Sequence, residues 1–369
     1  MPAWFCCRGR RFAGRRGASG ACRTVRAGVA HRRGARVRCA RQGCVGGVAL
    51  RRGGGGRPRR GVGAGCSWAT RCAEAGFGGA FCEGVPAGPR VVRGPADVSD
   101  PEAVDRLAER AVAEFGRIDV WLNDAAVAAF GALEEVPYDI FRQVLDVNVL
   151  GCVAGARAAL RVMRAQGHGT VINVSSAVGA AVVPYNTPYV LSKTAVRAMS
   201  ASLRQELRLA GQQDIHVCTV LPATMATPFF RSAANYSGRQ VTPMAPVYTA
   251  HRAARTVVRL TRRPRRETCA GPASHVLGLL SKLAPALVER VLALQTDRSH
   301  LSRNHGAEPA PRNVLCPRDE EASVGGGWHG RRRAAFRRTG ATALAGGLVA
   351  VGLRTFRGSR RPGRPYAKD

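Results

Sequence analysis

Tyr189 and Lys193 stand four residues apart in the stretch Tyr189-Val190-Leu191-Ser192-Lys193. On a helix that spacing puts a phenol and an ammonium on one face, within interaction range. A phenol ionises near pH 10 and is a poor base at neutral pH, but a cation held close favours the phenolate. The pair therefore makes an acid/base catalyst whose phenol is expected to be drawn down toward the working range. Thirteen residues upstream, a β-branched run ends in Ser175-Ser176. Adjacent strand residues point to opposite faces, so one of these hydroxyls faces the site, where it would orient and polarise a reacting carbonyl or alcohol. Taken alone, Tyr189 is equally a partly buried helix tyrosine; the combination carries the inference.

These groups need elements to hold them. Residues 101–115 place Val104, Leu107, Ala111 and Phe115 at helical spacing, with Asp100 as N-cap and Gly116 just past the end. Then come an apolar run from Ile118 to Leu122, a long helical stretch from about Tyr138 to Ala165, and a β-like run from Thr170 to Val174. A further helix covers about 188–210, and Ile215 to Val220 is again β-branched. Strands alternating with helices of this length predict βαβ units in a buried parallel sheet. Ligands in such sheets bind beyond the carboxyl ends of the strands. Those ends read Asn123-Asp124-Ala125-Ala126, Ser175-Ser176 and Leu221-Pro222-Ala223-Thr224, while the long helix carries Asp146-Val147-Asn148-Val149.

In these residues the sequence resembles the short-chain dehydrogenase/reductase family, in its Tyr-x-x-x-Lys branch. The resemblance covers about 96–300 and is sharpest from Asp97 to Phe229. It implies a Rossmann-like, doubly wound α/β fold and an oxidoreductase moving a hydride between NAD or NADP and an alcohol or ketone. By the resemblance, Tyr189 exchanges the proton with the substrate oxygen, and Lys193 also bonds the nicotinamide ribose. The family register selects Ser176 over Ser175, and Asn148 matches a helix asparagine that holds a proton-relay water near the lysine. Asp97 with Val98 matches an adenine contact. Asn123 to Ala126 replaces the usual Asn-Asn-Ala-Gly, which puts Asn123 and Ala125 beside the cofactor, and Thr227 matches the residue that bonds the nicotinamide carboxamide. Ala223 stands where the family has Gly. The stretch with Phe229, Phe230, Tyr236, Val241, Met244 and Tyr248 falls at the family's substrate lid; it suits an apolar ketone or alcohol, or plain packing of a loop on the sheet. The family is usually dimeric or tetrameric through its two long helices, which implies a homo-oligomer.

The remaining text differs in kind. The chain of 369 residues has a formal net charge of +33, yet residues 95–230 hold 11 basic and 14 acidic groups. The basicity that would invite a nucleic-acid partner lies in the flanks, and nucleic-acid binding is the least favoured reading. Residues 1–94 carry 20 Arg, 2 acids, 22 Gly and 8 Cys. They show little apolar periodicity and no Cys-x-x-Cys, so neither a packed core nor a zinc site is expected there. Arginines interrupt any apolar run after the start, which speaks against an export signal. A phosphate-binding glycine turn is approached only by Gly17-Ala18-Ser19-Gly20-Ala21-Cys22, and by that register Arg41 would meet the 2′-phosphate of NADP. The first Rossmann half therefore reads as degraded or poorly ordered, with 54 Arg against 3 Lys in the chain matching a shifted frame of GC-rich DNA. Three segments are expected: 1–94, a dehydrogenase core at 95–300, and a basic tail at 301–369. Within the tail, the uncharged run 339–353 could touch a membrane; otherwise a cytoplasmic protein is expected. Two readings stay open: an oxidoreductase, or a non-catalytic relative with a broken cofactor half.

Overall fold

The computed structural model describes residues 94, 96–315 and 324–328, together with the backbone of 47–50 and 66–69. The expectations for Gly17, Arg41 and the run 339–353 lie outside the described residues. Everything described belongs to one compact unit, 40–369. Strands β1 (Gly47–Leu50) and β2 (Cys66–Ala69) pair antiparallel.

Helix α1 (Pro101–Phe115) begins and ends where its caps dictate. The Asp100 carboxylate accepts the Glu102 N–H at 3.0 Å, and Gly116 takes the left-handed φ of 77° that closes the last turn. The central sheet is parallel, in the order β3 (Val120–Asn123), β5 (Gly169–Val174), β6 (Ile215–Pro222), β9 (Glu267–Ala270). Its strands are apolar on both faces because both are covered. Trp121, Val171, Ile215 and Val217 pack with α1 and α3 (Gly151–Gln166), while Val120, Leu122, Ile172, Cys218 and Val220 pack with Leu260 of α6 (Ala250–Arg262).

The long helical stretch is broken into α2 (Tyr138–Leu145), a π-helical turn over Asp146–Leu150, and α3. A widened turn of this kind re-aims the residues it contains, here Asn148. Helix α4 (Thr187–Leu209) carries Tyr189 and Lys193. Beyond the sheet lie two short-strand pairings: β4 (Ala129–Phe130) with β7 (Ala234–Asn235), and β8 (Arg239–Val241) with β10 (Leu301–Gly306). Helices α5 (Phe229–Ser232), α7 (Pro272–Leu283) and α8 (Pro285–Gln295) complete the described elements, with a π-helical turn from Thr296 to His300.

The expected boundary at residue 300 falls inside this packing. Leu301 and Val314 are buried, Arg239 bonds the Leu301 and Ser302 carbonyls at 2.6 and 3.1 Å, and Ala310 bridges to Asn235. Only Leu301 of β10 is buried, so this strand carries no readable alternation, and the tail reads in the sequence as leaving the core.

Candidate active site

Tyr189 lies in the first turn of α4 and Lys193 one turn on, so helix geometry alone stacks them. Ser176, two residues past the end of β5, has an extended backbone and caps the short turn Ala177–Gly179; its hydroxyl accepts the Val178 N–H at 3.4 Å and lies near enough to the Tyr189 phenol to favour its ionised form. Ser175 points the other way, donating to the Lys193 carbonyl at 2.7 Å, so of the two serines Ser176 is the one on the tyrosine.

The electrostatics differ from the expectation. Burial pushes the Tyr189 phenol above its ordinary value, against the lowering effect of the Ser176 bond, and the charge of Asp124 pushes it further. Lys193 is 3% exposed, and burial lowers its own pKa more than Asp124 raises it. Its Nζ donates to the Val174 carbonyl at 2.9 Å and sits 5.5 Å from the Tyr189 ring centroid. Desolvation therefore outweighs the cation, and the phenol is held protonated.

The Asn148 amide bonds Val127 and Ser192. Its Oδ1 accepts the Val127 N–H at 2.8 Å, and its Nδ2 donates to the Val127 carbonyl and the Ser192 hydroxyl, both at 2.9 Å. Ser192 in turn donates to the Tyr189 carbonyl at 2.7 Å. The asparagine thus seats the first turn of α4, and it borders the same small crevice as Lys193. Asn123 ties the sheet: its Oδ1 accepts from Trp121 Nε1 at 2.8 Å, and its Nδ2 donates to Asn173 Oδ1 at 2.8 Å and to the Cys152 carbonyl at 3.3 Å. Asn173, fully buried and passed over in the sequence, extends this network to Ser200 at 2.9 Å.

Ser176, Tyr189, Lys193 and Thr227 line one cavity of about 880 Å³. Its walls come from β3, β5 and β6 below and from α6, α7 and α8 around. Phe229, Phe230, Met244 and Tyr248 face it; Tyr236 packs with Ala129 and Val136, and Val241 packs behind Phe229 and Phe230. Asn186, Gln295 and His300 also line it, and no motif in the sequence marked them. His300 bonds the Thr242 carbonyl through Nδ1, and burial drives its pKa down to about 4, so the ring is neutral. Trp328, far along the expected tail, is 9% exposed; it donates to the Thr227 carbonyl at 3.2 Å and lies under the Arg231 guanidinium at 5.2 Å.

A family model described as short chain dehydrogenase matches residues 79–259. Residues 79–259 belong to the short-chain dehydrogenase family. Among its relatives, the uncharacterized oxidoreductase YxnA of Bacillus subtilis is 30% identical over 240 residues, covering 64% of this chain and 65% of YxnA. The uncharacterized oxidoreductase SSP1627 of Staphylococcus saprophyticus is 38% identical over 131 residues, 36% of this chain and 53% of that protein. The chain thus spans between half and two thirds of the length of these relatives. A solved alcohol dehydrogenase from Thermococcus sibiricus, complexed with 5-hydroxy-NADP, is 26% identical over 49% of this chain and 74% of its own, with a TM-score of 0.42. A short chain dehydrogenase from Burkholderia cenocepacia in complex with NADP is 25% identical over 56% and 79%, with a TM-score of 0.47.

Short-chain dehydrogenases use NAD or NADP. The residues of this short-chain dehydrogenase fit the nicotinamide end: Lys193 commits its ammonium to one backbone carbonyl, leaving N–H donors for a ribose diol, and Thr227 faces the same cavity. Beyond Lys193 a crevice bordered by Asp124, Ala125, Cys152 and Val98 holds about 10 Å³, room for roughly one water. Asp97, beside Val98, accepts both the N–H and the hydroxyl of Ser99 on Oδ1, at 2.9 and 2.7 Å. The segment expected to seat the pyrophosphate lies outside the described residues.

Proposed function

We propose that this short-chain dehydrogenase interconverts an apolar ketone and its secondary alcohol. One observation carries the reading: Ser176, Tyr189 and, one turn on, Lys193 share the wall of an 880 Å³ cavity lined mostly by apolar side chains. In reduction, Ser176 and Tyr189 both donate to the carbonyl oxygen, fixing it at the closed end of the site. Tyr189 starts protonated and passes its proton to that oxygen as negative charge builds there. Lys193 stabilises the phenolate left behind and offers its remaining N–H groups to the nicotinamide ribose. NADH or NADPH, when bound, supplies the hydride. Apolar walls exclude water and match an apolar substrate body.

The test has two layers. Purified protein is expected to quench NAD(P)H fluorescence and to gain thermal stability from it. Tyr189→Phe and Ser176→Ala should each lower kcat for ketone reduction by about 100-fold or more while NAD(P)H still binds. Binding of neither nucleotide would leave a non-catalytic relative and sink the enzyme reading.

A further inference from the structure

The apolar arc of helix α7 is wider than the cavity it walls. Leu277 and Leu280 line the cavity and pack with the Val183 and Val190 cluster. Val276, Leu279 and Leu283, at steps of three and four residues, continue the arc onto the solvent side, where they are 57%, 59% and 71% exposed. An amphipathic helix ordinarily buries its apolar arc, and a contiguous apolar stripe left in solvent marks a surface that meets something else.

Charge gathers at one end of that stripe. Lys282, exposed beside Leu283, bears on Glu267 at the start of β9. The Glu267 carboxyl is held below its ordinary value by its bonds from Arg197, at 2.9 and 3.0 Å, and further by the charges of Arg197, Arg204 and Lys282. Partial burial and the like charges of Arg266 and Arg197 push the Arg204 guanidinium below its ordinary value. Arg197, Arg204, Arg266 and Lys282 therefore stand about one carboxylate that Arg197 already holds. Crowded like charge of this kind is relieved by an anionic surface.

We propose that the outer stripe of α7 and this cationic cluster form a docking surface for an anionic lipid bilayer. The leucines enter the boundary between headgroups and acyl chains while the cations meet lipid phosphates. A second copy of the chain fits this face worse, because a two-fold contact sets the same cluster against itself. The chain's own uncharged run 339–353 lies between Arg337-Arg338 and Arg354, and meets the same repulsion. Docked in this way, α7 stands between the lipid and the cavity.

Flotation of the full-length chain with vesicles of phosphatidylcholine, alone or mixed with an equal part of phosphatidylglycerol, tests this at physiological ionic strength. The wild type is expected to partition onto the mixed vesicles at least about tenfold better than onto phosphatidylcholine. A net charge of +33 draws the whole chain to anionic lipid, so each variant is read against a matched control. Leu279→Gln/Leu283→Gln should cut partitioning about tenfold relative to Leu133→Gln/Leu150→Gln, whose leucines are 60% and 56% exposed elsewhere. Arg266→Gln/Lys282→Gln should cut it about tenfold relative to Arg106→Gln/Arg164→Gln, which removes the same charge from other exposed positions. Leu279→Gln alone serves if the double variant does not fold, with a loss of about threefold. A stripe or cluster variant that partitions like its control overturns the proposal, as does a wild type that leaves the mixed vesicles unbound. Light scattering without lipid tests the other occupant. A dimer that Leu279→Gln/Leu283→Gln breaks, with vesicle binding at the control's level, makes the stripe a contact between copies and overturns the bilayer.

Discussion

Tyr189 is held protonated by burial, and the neighbouring Asp124 carboxylate, itself pushed up by burial, adds to that. The sequence predicts that Lys193 draws the phenol down, whereas burial is the larger effect and Asp124 adds to it. Asp124 stands where the related pattern has asparagine. Replacing it by Asn removes a negative charge, so the phenolate becomes easier to form and the pKa of Tyr189 falls. Alcohol oxidation needs the phenolate and rises with pH as Tyr189 loses its proton. In Asp124→Asn that rise should come at lower pH, and the alkaline fall in ketone reduction should move the same way. A pH profile of kcat/KM in both directions checks this; an unshifted or alkaline-shifted profile contradicts it.

At the scale of elements, α3 approaches the sheet through Gly155. A Cβ there would lie 2.1 Å from Asn123 Oδ1 and 2.7 Å from Trp121 Nε1, so the glycine makes room for the hydrogen bonds joining β3, β5 and α3. Gly155→Ala should destabilise the fold by about 2–3 kcal/mol, the scale of overpacking in a filled interior. Gly278 in α7 is the control: a Cβ there meets nothing closer than 4.0 Å, and alanine should stabilise by up to about 1 kcal/mol through helix propensity. Urea unfolding of the two variants separates them, and equal midpoints would refute the steric account. The π-helical turn belongs at this scale too, because it aims Asn148 at Val127 and Ser192 and so seats the turn that carries Tyr189.

For the whole molecule, the C-terminal segment completes the site. Gly326 donates to the Ala226 carbonyl at 3.0 Å, a Cβ on it would lie 2.1 Å from the Thr227 carbonyl oxygen, and Val324 lines the cavity. Trp328 clamps the same loop from outside. Trp328→Ala should destabilise the protein by about 3 kcal/mol, the usual loss for a large buried aromatic. It should also weaken NAD(P)H binding, since Thr227 loses its support. Denaturant unfolding and a fluorescence titration read the two effects. A variant with wild-type nucleotide affinity would show that the clamp serves stability alone.

The sequence by itself determined the local part of this protein. Asp100, Pro101 and Gly116 bound α1, continuous apolar runs mark β3, β5 and β6 to within two residues, and the four-residue step from Tyr189 to Lys193 stacks the acid and its cation. These signals act within one turn or one strand, where spacing and geometry are the same thing. It also located the charge, with 11 basic and 14 acidic groups in 95–230 inside a chain of net +33. Only the tertiary structure decided the balance of burial over charge at Tyr189, the partners of Asn148, and the cavity closed by α6 to α8. The same holds for the place of Trp328, 101 residues after the carbonyl it bonds. Contacts across such distances depend on which surfaces meet after folding, and no periodicity along the chain records that.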